Sequence, residues 1–301
     1  TFGCRRGTSN VFVGIVVVAA NAGGAWSPIG DVTTTMLWIG GQLTTMTIIK
    51  TLLIPSLVTM LVPLGVLSFT MKGEVIRPNI KEGSEHYTNP KNPFERNLVF
   101  FLGVAGLLFV PIFKTLTHLP PFMGMMLSLG VLWLVTEILH RSKNIEDKSQ
   151  LSVVGILRKV DTPSVLFFLG ILLAVSGLQT AGHLAIMAEN LNEWFGGDIY
   201  AINIVIGLLS AIVDNVPLVA GSIGMYEITT VGNFAQDGVF WQFLAFCAGT
   251  GGSALIIGSA AGVAAMGLEK IDFVWYLKKI SILALLGYFA GAGTYILMQS
   301  L

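Results

Sequence analysis

The chain is short of charge. Only 11% of its 301 residues are Asp, Glu, Lys or Arg, against about 25% in a soluble domain. Hydrophobic residues make up 53%, and mean hydropathy is +0.77. A soluble globular domain is excluded and an integral membrane protein is expected. The alternation that a membrane β-barrel needs is missing. Apolar runs of about 20 residues, long enough for a spanning helix, recur instead. Cysteine is nearly missing too. Cys4 and Cys247 stand far apart, at no metal-ligand spacing, and Cys247, within an apolar run, reads as a small core residue. No nucleophile elbow, phosphate loop or zinc spacing occurs, so no enzyme is expected. Net charge is zero, and neither a nucleic-acid partner nor a resident cofactor is expected. An initiator Met is missing as well. Thr1–Asn10 run straight into an apolar segment, which reads as a fragment lacking N-terminal spans.

Against that apolar background, Ile212-Val213-Asp214-Asn215-Val216-Pro217 stands out. It puts a carboxylate, an amide and a helix breaker inside the apolar stretch Ile199–Met225. An Asp in hydrocarbon costs roughly 2.5–3.5 kcal/mol on insertion scales. A buried acid beside interrupted backbone is how carriers build cation sites.

The fold class expected is an all-α membrane protein, an inverted-repeat secondary transporter with broken spans and a re-entrant hairpin. Residues 1–70 read as the end of a first repeat, with a broken span over 11–40 and a span over 51–69. A polar cytoplasmic-side loop covers 71–97. Two spans follow over 98–139, within which Leu98–Phe113 and Phe122–Leu139 are apolar, and a second such loop covers 140–160. Residues 161–301 read as the second repeat: a span over 163–180, an amphipathic interfacial helix over 183–195, a hairpin over 199–225, a broken span over 241–267 and a last span over 280–298. Arg5 and Arg6, the two loops and Glu269–Lys279 then share one side. Together they hold all of the Lys and Arg except Lys50 and Lys114, a strong positive-inside pattern. Were 199–225 to cross the membrane fully, Lys270, Lys278 and Lys279 would change sides, so charge favours the hairpin.

Gly23-Gly24-Ala25-Trp26-Ser27-Pro28-Ile29-Gly30 matches Gly251-Gly252-Ser253-Ala254-Leu255-Ile256-Ile257-Gly258 in spacing. The layout runs the first break from inside to outside and the second from outside to inside, the mark of an inverted repeat. The hairpin before the second break predicts a matching one upstream of Thr1.

Asp214 and Asn215 fall at the hairpin tip, where a carboxylate and an amide oxygen suit a small cation. Desolvation disfavours a carboxylate's charge, so one acid can hold either a proton or a cation, which is enough for antiport. The plain alternative is a capped turn. Asp31 follows Gly30 and occupies a helix N-cap position, so capping competes with ion binding there. Asn21, Thr33, Thr34, Thr250 and Ser253, with Ser27 and Ser259 nearby, add oxygens, though such hydroxyls often bond back to their own helix. Gly23, Gly24, Gly30, Gly251, Gly252 and Gly258 allow unwound backbone and close approach, or serve packing alone. Glu137 reads as a snorkelling side chain. His86, His118, His140 and His183 read as solvated, and Trp194, Trp241, Trp275 and Tyr276 as interfacial aromatics.

The stretch Ala20–Trp38, the run Asp214-Asn215-Val216-Pro217-Leu218 and the stretch Phe246–Gly262 resemble the signatures of NhaD-type sodium/proton antiporters, in the wider ion transporter superfamily. The resemblance covers essentially the whole chain. It implies exchange of Na⁺ or Li⁺ for H⁺, with Asn21, Asp31, Thr33, Asp214 and Asn215 carried over as ion or proton ligands (Asp214 and Asn215 for Na⁺). It further implies a bacterial inner membrane or plastid envelope, lipid contacts and a homodimer. The family's first hairpin, with its own Asp-Asn motif, would precede Thr1. A dicarboxylate or arsenite carrier of the same architecture is the alternative. It wants Lys or Arg near the site, and none lies in either broken span or the hairpin. A membrane scaffold would leave the paired breaks and both acids unexplained.

Overall fold

The computed structural model describes residues 2–70, 93–141, 151–158, 160 and 162–301, without the side chains of 2–9, 163–164 and 167–168. The core of both loops expected to be basic, residues 71–92 and 142–150, lies outside the described residues, as do His86 and the side chains of Cys4, Arg5 and Arg6. Among the described residues the chain is helical without strands, apart from one isolated bridge between Thr229 and Ala235. Two compact units form, Thr1–Gly73 with Phe168–Leu301, and Glu74–Phe167.

The larger unit begins with α1 (Phe2–Ala25), α2 (Val32–Ile39) and α3 (Thr45–Thr70). The smaller unit holds α4 (Pro93–Thr117), α5 (Pro121–Leu139) and the short α6 (Val153–Leu157), after which α7 (Thr162–Thr180) leads back into the larger unit. There follow α8 (His183–Phe195), α9 (Ile199–Leu209), α10 (Asn215–Met225), α11 (Val239–Gly251), a 3₁₀ turn over Gly252–Ala254, α12 (Ala260–Glu269), α13 (Phe273–Lys279) and α14 (Ser281–Ser300). Helices α3, α4, α5 and α14 are long and apolar enough to cross a membrane. Leu169–Thr180 and His183–Phe195 form a pair bent by 77° at Gly182, whose φ of +79° suits glycine.

Helices α9 and α10 have 11 residues each. At about 1.5 Å per residue neither spans a hydrocarbon core of about 30 Å. Asp198 caps α9 by accepting from Tyr200 N–H at 2.9 Å, and Ser210–Asp214 separate the two arms.

Three expectations change. The first break is shorter than Asn21–Asp31. Helix α1 continues through Gly23 and Gly24 to Ala25, because Pro28, which restricts the residue before it and has no N–H, is the first true obstacle to the helix. Trp241 and Tyr276 are fully buried instead of interfacial. Trp241 donates its indole N–H to Phe234 O at 2.9 Å within a cluster of Tyr226, Phe234 and Phe240. His140 is buried too, its Nε2 4.0 Å from Glu95 Oε2; Glu95 lies in the first turn of α4, inside what reads as loop.

Contacts between α3 and α14 fall at positions that the offset of the repeated glycine motif exchanges. The offset that carries Gly23 onto Gly251 carries Thr59 of α3 onto Gly287 of α14, and Pro63 onto Gly291. Helix α14 packs on α3. A Cβ on Gly287 would strike Thr59 O and stand 2.8 Å from Pro63 Cγ, and one on Gly291 would strike Thr59 Oγ1. So Thr59 meets its own image, and the Gly291–Thr59 contact is the image of the Gly287–Pro63 contact. Pro63 has no N–H to bond Thr59 O, and it is over this freed carbonyl that Gly287 packs. A clasp at another corner joins the halves: Asp237 accepts from Thr44 N–H at 2.7 Å and Thr44 Oγ1 at 2.8 Å, in front of α3.

Candidate ion site

Both breaks are closed by the same pair of glycines. A Cβ on Gly24 would lie 2.9 Å from Gly30 O, and one on Gly30 would lie 2.6 Å from Gly24 O. At the image positions a Cβ on Gly258 would lie 2.7 Å from Gly252 O. Only glycine lets the unwound chain fold back so tightly. Gly251 is also spoken for, pressed against the carbonyl of Gly207 on α9. Gly23 differs: a Cβ there meets nothing within 4 Å, so close approach does not require glycine at that position.

Asp31 stands at the N-cap of α2 in extended backbone, φ −138° and ψ 152°, yet its side chain makes no capping bond. Its Oδ2 accepts from Thr33 Oγ1 at 2.8 Å and from Asn215 Nδ2 at 3.2 Å. The image residue behaves otherwise. Ser259 caps α12 by accepting from Gly262 N–H at 3.2 Å. One broken helix thus has its cap bond satisfied, while the other turns its carboxylate toward the tip of α10. Packing of α10 on α2 makes that reach possible.

Asp214 is the N-cap residue of α10, again with no side-chain cap bond, and is half-buried. Asn215, next to it, is buried. The acid before α2 and the amide that begins α10 therefore meet, with Asp214 next to that amide in the chain.

Asn21 lies apart from that group, in the last turns of α1. Its Nδ2 donates to Ser253 Oγ and Ser259 Oγ, both at 2.9 Å, which ties the first broken span to the second. Tyr276 Oη donates to Ser253 O at 2.9 Å and ties down the unwound segment. The remaining candidate hydroxyls turn to backbone. Thr34 Oγ1 donates to Asp31 O at 3.0 Å, and Thr250 Oγ1 to Phe246 O at 2.6 Å, the back-bonding common in membrane helices. Sequence reasoning read Tyr276 as an interfacial aromatic and Ser259 only as one of several nearby hydroxyls. Applying the repeat offset to Asp31 would have singled out Ser259; nothing local marks Tyr276. Among the described residues no three His, Cys, Asp or Glu side chains cluster.

The chain matches the family profile described as citrate transporter (CitMHS) over residues 3–245. It is 49% identical over 288 residues to sodium/proton antiporter 1 of Arabidopsis thaliana, covering 96% of this chain and 48% of that protein. It is 46% identical over 291 residues to sodium/proton antiporter 2 of the same plant, covering 95% and 66%. With the Na⁺/H⁺ antiporter NhaD of Vibrio cholerae serotype O1 it shares 34% identity over 310 residues, covering 94% and 61%. The chain thus spans less than two thirds of each of these relatives. No solved structure matches it significantly.

Proposed function

The chain belongs to the citrate transporter (CitMHS) family and is of NhaD type, and on that premise we propose that the protein it comes from exchanges Na⁺ or Li⁺ for H⁺ across its membrane. The observation that carries this reading is the convergence of Thr33 and Asn215 on one carboxylate oxygen of Asp31, beside Asp214 and without any Lys or Arg in the broken spans or hairpin. In this reading Asp214 alternately holds H⁺ and Na⁺. A cation arriving between Asp214 and Asp31 displaces the proton from the Asp214 carboxyl. Asn215 turns its amide, so that Oδ1 faces the cation where Nδ2 faced Asp31. Carbonyls freed at the breaks complete the shell. Residues 199–225 enter and leave on one side, which keeps Lys270, Lys278 and Lys279 with the other basic stretches.

The family's description, citrate transporter, favours a second reading, an anion carrier whose half-helix N-termini bind a di- or tricarboxylate. One experiment separates the two. Everted vesicles carrying the full-length protein receive Na⁺, Li⁺, K⁺, succinate and citrate in turn while a pH dye reports proton movement. Antiport predicts dequenching with Na⁺ or Li⁺ that Asp214→Asn abolishes. A response to carboxylates alone, or wild-type rates in Asp214→Asn, overturns it.

A further inference from the structure

The offset that carries Gly23 onto Gly251 pairs Asn21 with Gly249, Ala25 with Ser253, and Asp31 with Ser259. In one of these sets the Asn21 amide bridges Ser253 Oγ and Ser259 Oγ at 2.9 Å each. In the other, Gly249, buried in α11, faces the images of both. A Cβ built on it would stand 3.3 Å from Ala25 Cβ, 3.4 Å from Asp31 Oδ2 and 3.6 Å from Thr33 Oγ1. The contact is therefore reciprocal in backbone and unequal in chemistry. Where one half places an amide N–H₂ between two neutral hydroxyls, the other places no side chain against a carboxylate and a hydroxyl. An amide N–H₂ carries partial positive charge and is satisfied by oxygens, as a small cation is.

We propose that Gly249 determines which monovalent cation the site accepts, because the ion occupies the two-fold image of the Asn21 amide, over the Gly249 backbone and against Asp31 Oδ2 and Thr33 Oγ1. This rests on the antiport reading above and names the position that sets its selectivity. A side chain at 249 narrows the space beside Asp31 and penalises Na⁺ more than the smaller Li⁺. An Asn at 249 supplies its own amide to Asp31 and takes the place of the ion.

Two variants of the full-length protein test this. In Gly249→Ala the nearest neighbours of the new methyl are Ala25 Cβ and the two oxygens, at ordinary or slightly tight distances. In vesicles its apparent KM for Na⁺ relative to Li⁺ rises about tenfold, whereas a purely packing role lowers both ion responses equally and leaves that ratio unchanged, which overturns the proposal. Gly249→Asn is purified in detergent and its thermal unfolding followed with NaCl, LiCl or neither. Wild-type protein is stabilised by the bound ion; the variant unfolds at a temperature independent of both salts. A variant that keeps the wild-type Na⁺ shift also overturns the proposal. If wild-type protein responds to neither ion in either assay, the antiport reading itself falls and takes this one with it. A responsive wild type with an unchanged Gly249→Ala ratio removes this proposal alone.

Discussion

Asn215 donates to Asp31 across 3.2 Å, although they stand 184 positions apart and each begins a different half-helix. Asp31 holds the N-cap position of α2 without capping it. Its carboxylate is held by the Thr33 hydroxyl of its own helix and by a neighbour's amide.

That arrangement separates ion binding from folding at Asp31. Asp31→Asn keeps an N-cap residue of nearly equal rank and can still accept from Thr33. It should leave the melting temperature within a few degrees of wild type and reduce Na⁺-dependent proton movement to background. Vesicle dye assays and thermal unfolding on the same preparation check both halves; preserved transport would make Asp31 purely structural.

Asn21 should behave as a structural cross-tie. Asn21→Ala removes two buried hydrogen bonds, and leaving buried partners unmet costs about 1–3 kcal/mol. The expected result is a lowered melting temperature in detergent. Ser253→Ala combined with Asn21→Ala should cost less than the sum of the single changes, since the pair shares one bond, and a double-mutant cycle measures that coupling.

Glycines offer a graded test of the two-fold packing. Gly287→Ala drives a methyl into the Thr59 carbonyl, and overpacking of this kind costs about 1–3 kcal/mol. Gly293→Ala, on the same helix with nothing within 4 Å, should be neutral or stabilising by about 0.5–1 kcal/mol. Equal melting temperatures for the two variants would contradict the close approach of α3 and α14.

Within the breaks the same logic opposes Gly30 to Gly23. Gly30→Ala places a methyl 2.6 Å from Gly24 O and should destabilise the protein and abolish transport. Gly23→Ala lies in open helix and should leave both intact. Expression level, melting temperature and vesicle transport read the contrast.

Tyr276→Phe keeps the ring in its pocket with Val18, Ile256 and Ile280 and deletes only the bond to Ser253 O. A loss of about 0.5–1.5 kcal/mol is expected, seen as a small fall in melting temperature. A fall as large as that of Tyr276→Ala would assign the role to packing alone.

Much of the site was legible because membrane chemistry is restrictive. An Asp in an apolar run is costly, so Asp31 and Asp214 announce themselves, and repeated glycine spacing marks both breaks. Boundaries were less legible: Gly23 and Gly24 look like a break, yet a glycine pair does not stop a helix packed on its neighbours, and the interruption waits for Pro28. Tyr276 and Trp241 were misread because amphipathic aromatics suit an interface and a buried polar partner equally well; the partners, Ser253 O and Phe234 O, are unrelated to them by any local pattern.

The sequence by itself determined the solvent, the helical class, the two breaks and the residue types gathered there, because burying charge and interrupting backbone in hydrocarbon are penalised enough to leave visible traces. Tertiary structure alone decided how those types are used. A hydroxyl can bond its own helix, as Thr250 does, or a neighbour's amide, as Ser253 does, at nearly equal local cost. An N-cap acid can cap or turn away. Which option wins depends on what the two-fold packing brings opposite. Asn21 finds two hydroxyls, whereas Asp31 finds Asn215 and the bare backbone of Gly249.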